Sequence, residues 1–159
     1  MNEQILNIFE LALKLEDVGI NFFSGLSRKF HKNIDLKQNF EIYAKSKIST
    51  KKLLNDIVNK IKSHSININY NIDIEYSHEQ FDLLFDATDV VGEYSMHSDV
   101  LKTAFNYLRL SNNLYNFIIQ QFDTIEGLEK IIESNKELLE IVKKHINIYT
   151  EEVKFYGYE

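Results

Sequence analysis

The stretch Phe9–Phe23, FELALKLEDVGINFF, decides the fold. Read at helical spacing and extended in both directions, Ile5, Phe9, Ala12, Glu16, Gly19, Phe23, Leu26 and Phe30 form one stripe. Steps of three and four are the period of a helix that buries one face. The pattern predicts a helix over about 2–30. Glu16 is the one charged member of the stripe. A carboxylate on a buried face is costly unless something neutralises it, so the fold raises the question of what faces Glu16.

Three further segments have the same period. One covers about 36–63, through Phe40, Tyr43, Ala44, Ile48, Leu54, Ile57, Val58 and Ile61. Another covers about 98–122. The last covers about 125–152, through Leu128, Ile131, Ile132, Leu138, Leu139, Val142, Ile146 and Tyr149. The first two helices are joined by HKNID (31–35), which is short enough to make them antiparallel neighbours. Asp123-Thr124 is a similarly tight joint, with either residue able to cap the last helix. Between the hairpins runs a long crossover, 64–97. Its start alternates apolar and polar residues. Its later part, 77–91, reads as a short helix capped by Ser77 with Gln80 three residues on. Two helical hairpins and one crossover predict an all-α, four-helix bundle in a single domain, 1–159.

Composition narrows the function classes. The 159 residues include no proline, no cysteine and only five glycines. Long helices are therefore unbroken. A thiolate nucleophile, a disulfide scaffold and any cysteine-bound zinc, iron or iron–sulfur cluster are excluded. The net charge of −6, with both signs interspersed, leaves no basic footprint for nucleic acid. MNEQILNIFE does not read as a signal peptide, and no apolar run is long enough to span a bilayer. The expectation is a cytoplasmic protein with no membrane or nucleic-acid partner. No Ser/His/Asp set, phosphate-binding glycine loop or HExxH motif is present.

The two halves repeat. A shift of 92 carries the first stripe onto His97, Leu101, Ala104, Leu108, Ser111, Tyr115, Ile118 and Phe122. A shift of 88 pairs Phe40 with Leu128, Tyr43 with Ile131, Lys47 with Asn135, Thr50 with Leu138 and Leu54 with Val142. Two matching hairpins in the same order point to a duplicated unit.

ALKLEDVGINFF (12–23), NFEIYAKSKISTKKLL (39–54), DVLKTAFNYLRLSNNLYNFI (99–118) and LEKIIESNKELL (128–139) resemble the rubrerythrin-like branch of the ferritin-like superfamily. The resemblance implies a ferritin-like bundle and a dimetal, typically di-iron, centre used in peroxide, oxygen or iron chemistry. It places one glutamate on each of two helices and Glu-x-x-His on each of the other two. Glu16 matches the first glutamate. The other positions fall on Lys47 and Thr50, on Leu108, and on Asn135 and Leu138, so Glu16 is the only matching ligand. One carboxylate beside an ammonium cannot balance two metal ions.

Two readings of Glu16 follow. In the first, Lys47 replaces the metal electrostatically as a buried ion pair, with Thr50 and Asn135 supplying hydrogen bonds. In the second, Lys47 extends outward and Glu16 meets water or a tyrosine hydroxyl, with Tyr43, Tyr107 and Tyr115 as candidates. The function expected is a divergent rubrerythrin-like protein without a cofactor. It would act as a non-catalytic binding or structural protein, as a homodimer or on a protein partner. The competing reading is a metal-dependent oxidoreductase, with iron or another metal on non-standard ligands; another register of the last helix would bring Glu133, Glu137 or His145 nearer. Glu93 and His97, with Asp89 and Asp99 nearby, read as a surface pair, and His145 as a hydrogen-bonded residue of the inner face.

Overall fold

A computed structural model describes residues 2–63, 97–121 and 126–156. These form four α-helices: α1 (Asn2–Lys29), α2 (Ile34–Lys62), α3 (His97–Gln121) and α4 (Leu128–Tyr156). There is no strand among the described residues. α1 packs on α2 and α3 on α4, and the two pairs meet along α1–α3 and α2–α4. The expected crossover and its short helix, Asp89, Glu93 and the Asp123-Thr124 cap lie outside the described residues.

All eight stripe positions are buried, seven of them in α1 and Phe30 just past its end. Arg28 and Lys29 lie in its last turn, where cations meet the negative end of the helix dipole. α2 starts at Ile34, two residues earlier than the apolar period alone placed it. The reason is Asn33, whose extended backbone and side-chain oxygen cap the helix by accepting from the Leu36 amide at 3.1 Å. α4 starts at Leu128, later than expected, because Gly127 before it holds φ at 99°, a left-handed conformation that glycine adopts freely. Ile48 is corrected from core to surface: it is 41% exposed, and the neighbouring Lys47 takes the inward place.

Contacts between the pairs fix the topology. Asn39 meets His145, Ser46 meets Ser134 and Lys47 meets Asn135. From Asn39/His145 to the Ser46 and Lys47 contacts the α2 number rises while the α4 number falls from 145 to 134–135, so α2 and α4 are antiparallel. The short links at 30–33 and 122–127 make each pair antiparallel as well. α2 and α3 therefore point the same way, and α3 begins at the opposite end of the bundle from the end of α2. The length between those ends is about 43 Å for a 29-residue helix.

Two of these contacts join positions 88 apart, the same offset that relates the α2 and α4 patterns. A residue touches its own equivalent only near a twofold axis. The repeat thus places a local twofold through Ser46/Ser134 and Lys47/Asn135, at the middle of the bundle. On one side of this middle lies an aromatic cluster. Phe23 meets Tyr43 and Tyr107 edge-on, with ring centroids at 5.2 and 5.6 Å, and stacks on Phe40 at 6.4 Å. Such pairs add stability beyond the area they bury.

Candidate functional site

The middle of the bundle is polar and closed to solvent. Glu16, Lys47, Ser111 and Asn135 are all 0% exposed, one from each helix. Lys47 Nζ stands 3.5 Å from Glu16 Oε2 and donates to Asn135 Oδ1 at 2.5 Å. Asn135 Nδ2 donates to Ser111 Oγ at 3.0 Å, which fixes its oxygen toward the lysine. Tyr115 donates its hydroxyl to Glu16 Oε1 at 2.6 Å. Among the described residues Glu16 Oε2 accepts no hydrogen bond of ordinary geometry and faces the Lys47 ammonium at 3.5 Å. The Tyr107 ring lies beneath the ammonium, 5.7 Å from Nζ, a cation–π distance.

The two proposed partners of Glu16 thus act together: Lys47 turns inward and Tyr115 supplies a hydroxyl. Tyr107 instead donates to the Leu15 carbonyl at 2.7 Å. Among the described residues the Tyr43 hydroxyl is buried without a hydrogen-bond partner, as is Asn112 Oδ1. Thr50 is corrected as a contributor. Its hydroxyl donates to the Ser46 carbonyl of its own helix at 3.1 Å, a bond threonines commonly make four residues back. Leu108 and Leu138 are buried and apolar. Ser111 is the member that periodicity showed as inward but not as functional. The signal was its place beside Asn135 on the facing stripe.

Gly19 is set by this packing. A Cβ there would fall on the Tyr107 hydroxyl and lie 2.6 Å from its Cζ. The missing side chain lets the Tyr107 phenol reach the α1 backbone next to Glu16.

Burial governs the protonation of the site. It raises the Glu16 carboxyl, while Lys47 and the Tyr115 hydroxyl pull the other way. It lowers the Lys47 ammonium, opposed by Glu16. The Tyr107 and Tyr115 phenols are pushed well up by burial and then by the charge of Glu16. Desolvation acts against the charged form of each partner, and the attraction between Glu16 and Lys47 acts against that effect in both.

These residues do not fit a dimetal centre. They offer one carboxylate, and an ammonium stands against it. Among the described residues no three of histidine, aspartate and glutamate gather in one place. Another register of α4 does not repair this. Glu133 and Glu137 are exposed. His145 uses its ring nitrogens on the Ile141 carbonyl, at 2.9 Å, and on the Asn39 amide, at 3.3 Å. Asp17, beside Glu16, points outward and pairs with Lys51 at the surface. His97 opens α3, and its expected partner Glu93 lies outside the described residues.

Comparison of the chain with protein-family models, with curated proteins and with solved structures finds no match. No described helix is long and apolar enough to cross a membrane.

Proposed function

We propose that the chain is a divergent rubrerythrin-like member of the ferritin-like superfamily that has exchanged its dimetal centre for a buried polar cluster. It works through its surface as a non-catalytic binding or structural protein of the cytoplasm. The observation that carries this reading is the pair Glu16–Lys47, fully buried at 3.5 Å where the resemblance puts metal ligands. The direction of the helices supports it too. α2 and α3 run parallel, so one long connection is needed, as in ferritin-like bundles.

The surface favours a second copy of the chain as partner. Ile34, Ile42 and Ile48 are exposed on α2. A twofold dimer could cover them, since one self-complementary patch suffices for two identical chains. The test is metal analysis of protein purified without chelator, together with light scattering. The reading expects far less than one iron or manganese per chain and the mass of a dimer. Near-stoichiometric metal overturns the exchanged centre, and a monomer at micromolar concentration overturns the dimer.

A further inference from the structure

The edges along which α2 and α4 meet are marked by Asn39, Ser46, Ser134 and His145, whose side chains touch across the seam. Residues three, four or seven positions apart share a helix face. On α2, Ile42 is three residues after Asn39 and four before Ser46. On α4, Ile141 is seven after Ser134 and four before His145, and Ile148 is three after His145. All three isoleucines therefore line the seam. Ile42 and Ile148 are 52% and 51% exposed, while Ile141 is half-buried against the core. Ile42 lies level with Ile141, because both fall between the Asn39–His145 and Ser46–Ser134 contacts. Of the three exposed isoleucines of α2, Ile42 is the one on this edge.

The charges around the isoleucines complement one another. Lys45 is two residues before Lys47, and Glu137 is two after Asn135, so on antiparallel helices they stand at one level. Asp35 is seven residues before Ile42, and Lys144 is three after Ile141. All four are exposed, and none is in an ion pair among the described residues. Followed in one direction along the bundle, α2 presents an acid, Ile42 and a base. In the same direction α4 presents a base, Ile141 and an acid.

We propose that this face docks a second copy of the chain, with α2 of each copy against α4 of the other about a twofold axis parallel to the helices. Such an axis keeps the levels in register. It sets Ile42 on the partner's Ile141, Lys45 toward the partner's Glu137 and Asp35 toward the partner's Lys144. The twofold makes each contact twice. The other axis in this face runs across the helices and reverses the levels. It would set the isoleucines against the opposite end of the seam, where the 88-residue offset puts Lys130 in place of Ile42 and Lys60 in place of Ile148. An ammonium covered by isoleucine loses water and gains no partner, so the axis along the helices is the one that fits. An apolar centre with a charged rim is the ordinary make-up of a protein interface.

The proposal rests on the dimer of the preceding reading and narrows it to one face, so the test separates the two. The full chain and its variants are followed by sedimentation velocity at low ionic strength, where exposed charges are least screened. Lys45→Glu and Glu137→Lys change exposed residues and leave the core intact. Each alone sets two like-charge contacts across the twofold, and each is expected to raise the dimer Kd on the order of tenfold or more. An equimolar mixture of the two variants opposes an acid to a base at both contacts. It is expected to form a heterodimer as tight as the wild-type dimer. Ile42→Ser is expected to weaken the dimer as well. Glu10→Lys, the same change of charge on the exposed side of α1, is expected to leave it unchanged. If Lys45→Glu and Glu137→Lys dimerise like wild type, or if their mixture is no tighter than either alone, this face is overturned and the dimer stands. A monomeric wild type overturns both; a lowered Tm of Ile42→Ser in that monomer would show that the chain itself covers the patch.

Discussion

Replacing Lys47 by leucine leaves Glu16 buried with only the Tyr115 hydroxyl as partner. The protein then has two options at neutral pH. It can keep a buried unpaired charge, which typically costs about 3–5 kcal/mol. It can instead protonate Glu16; raising a carboxyl from about 4.3 to pH 7 at about 1.36 kcal/mol per unit costs roughly 3.7 kcal/mol. The two routes agree, so the orphaned carboxyl costs about 3–4 kcal/mol by either. Glu16→Leu in the same chain removes that cost. The double variant Glu16→Leu/Lys47→Leu should therefore be more stable than Lys47→Leu alone by about 3 kcal/mol, or on the order of 10 °C in Tm for a chain of this length. Both variants lack the lysine amine, and their difference isolates Glu16. The assay is urea unfolding followed by circular dichroism, repeated from pH 4 to pH 8. The folded carboxyl is raised above its unfolded value, so the folded state holds its proton more tightly. Stability of Lys47→Leu is therefore greatest below the ordinary carboxyl value and is lost as pH rises through the raised one. The gap between the variants should close near pH 4 and widen toward pH 8. Equal stabilities at pH 8, or a gap that does not depend on pH, would refute the reasoning.

Other consequences follow from single contacts. Glu16→Leu alone leaves a buried lysine whose folded value is lowered, so its stability should rise with pH up to the ordinary lysine value near 10.5; a flat profile to pH 10 contradicts this. Gly19→Ala should destabilise by roughly 1–3 kcal/mol, because the new methyl meets the Tyr107 ring, and Tyr107→Ala in the same chain should reduce that penalty. Asn33→Ala removes the α2 cap and should cost about 1 kcal/mol in thermal unfolding, whereas Asn33→Asp should be close to neutral. Ser111→Ala leaves the Asn135 amide without its acceptor and should cost about 1–3 kcal/mol in thermal unfolding.

The four helices were legible because their buried faces repeat at three and four residues, and the α1 stripe from Ile5 to Phe30 is buried throughout. The ends were less so. Period does not register a cap such as Asn33 or a left-handed Gly127, and these set where α2 and α4 begin. Lys47 and Ile48 show the limit of hydropathy: adjacent residues compete for one inward place, and the apolar one lost it. The lysine turns inward because Glu16, Asn135 and the Tyr107 ring together receive it. The partners of the centre were only partly legible. Tyrosine and serine fit an inner stripe as ordinary filling, so Tyr115 stood as one of three candidates and Ser111 was not singled out. Thr50 lay on the right face, yet its hydroxyl satisfied its own helix.

The central claim is that an amine and a carboxyl, rather than metal ions, hold the middle of the bundle. Ligands that bind only the folded state raise Tm as their concentration rises. The direct measurement is thermal unfolding of chelator-treated protein with added iron(II) or manganese(II) under anaerobic conditions, beside Glu16→Leu as control. The account predicts one Tm at every metal concentration. A Tm that climbs with metal in the wild type and stays fixed in Glu16→Leu would contradict it.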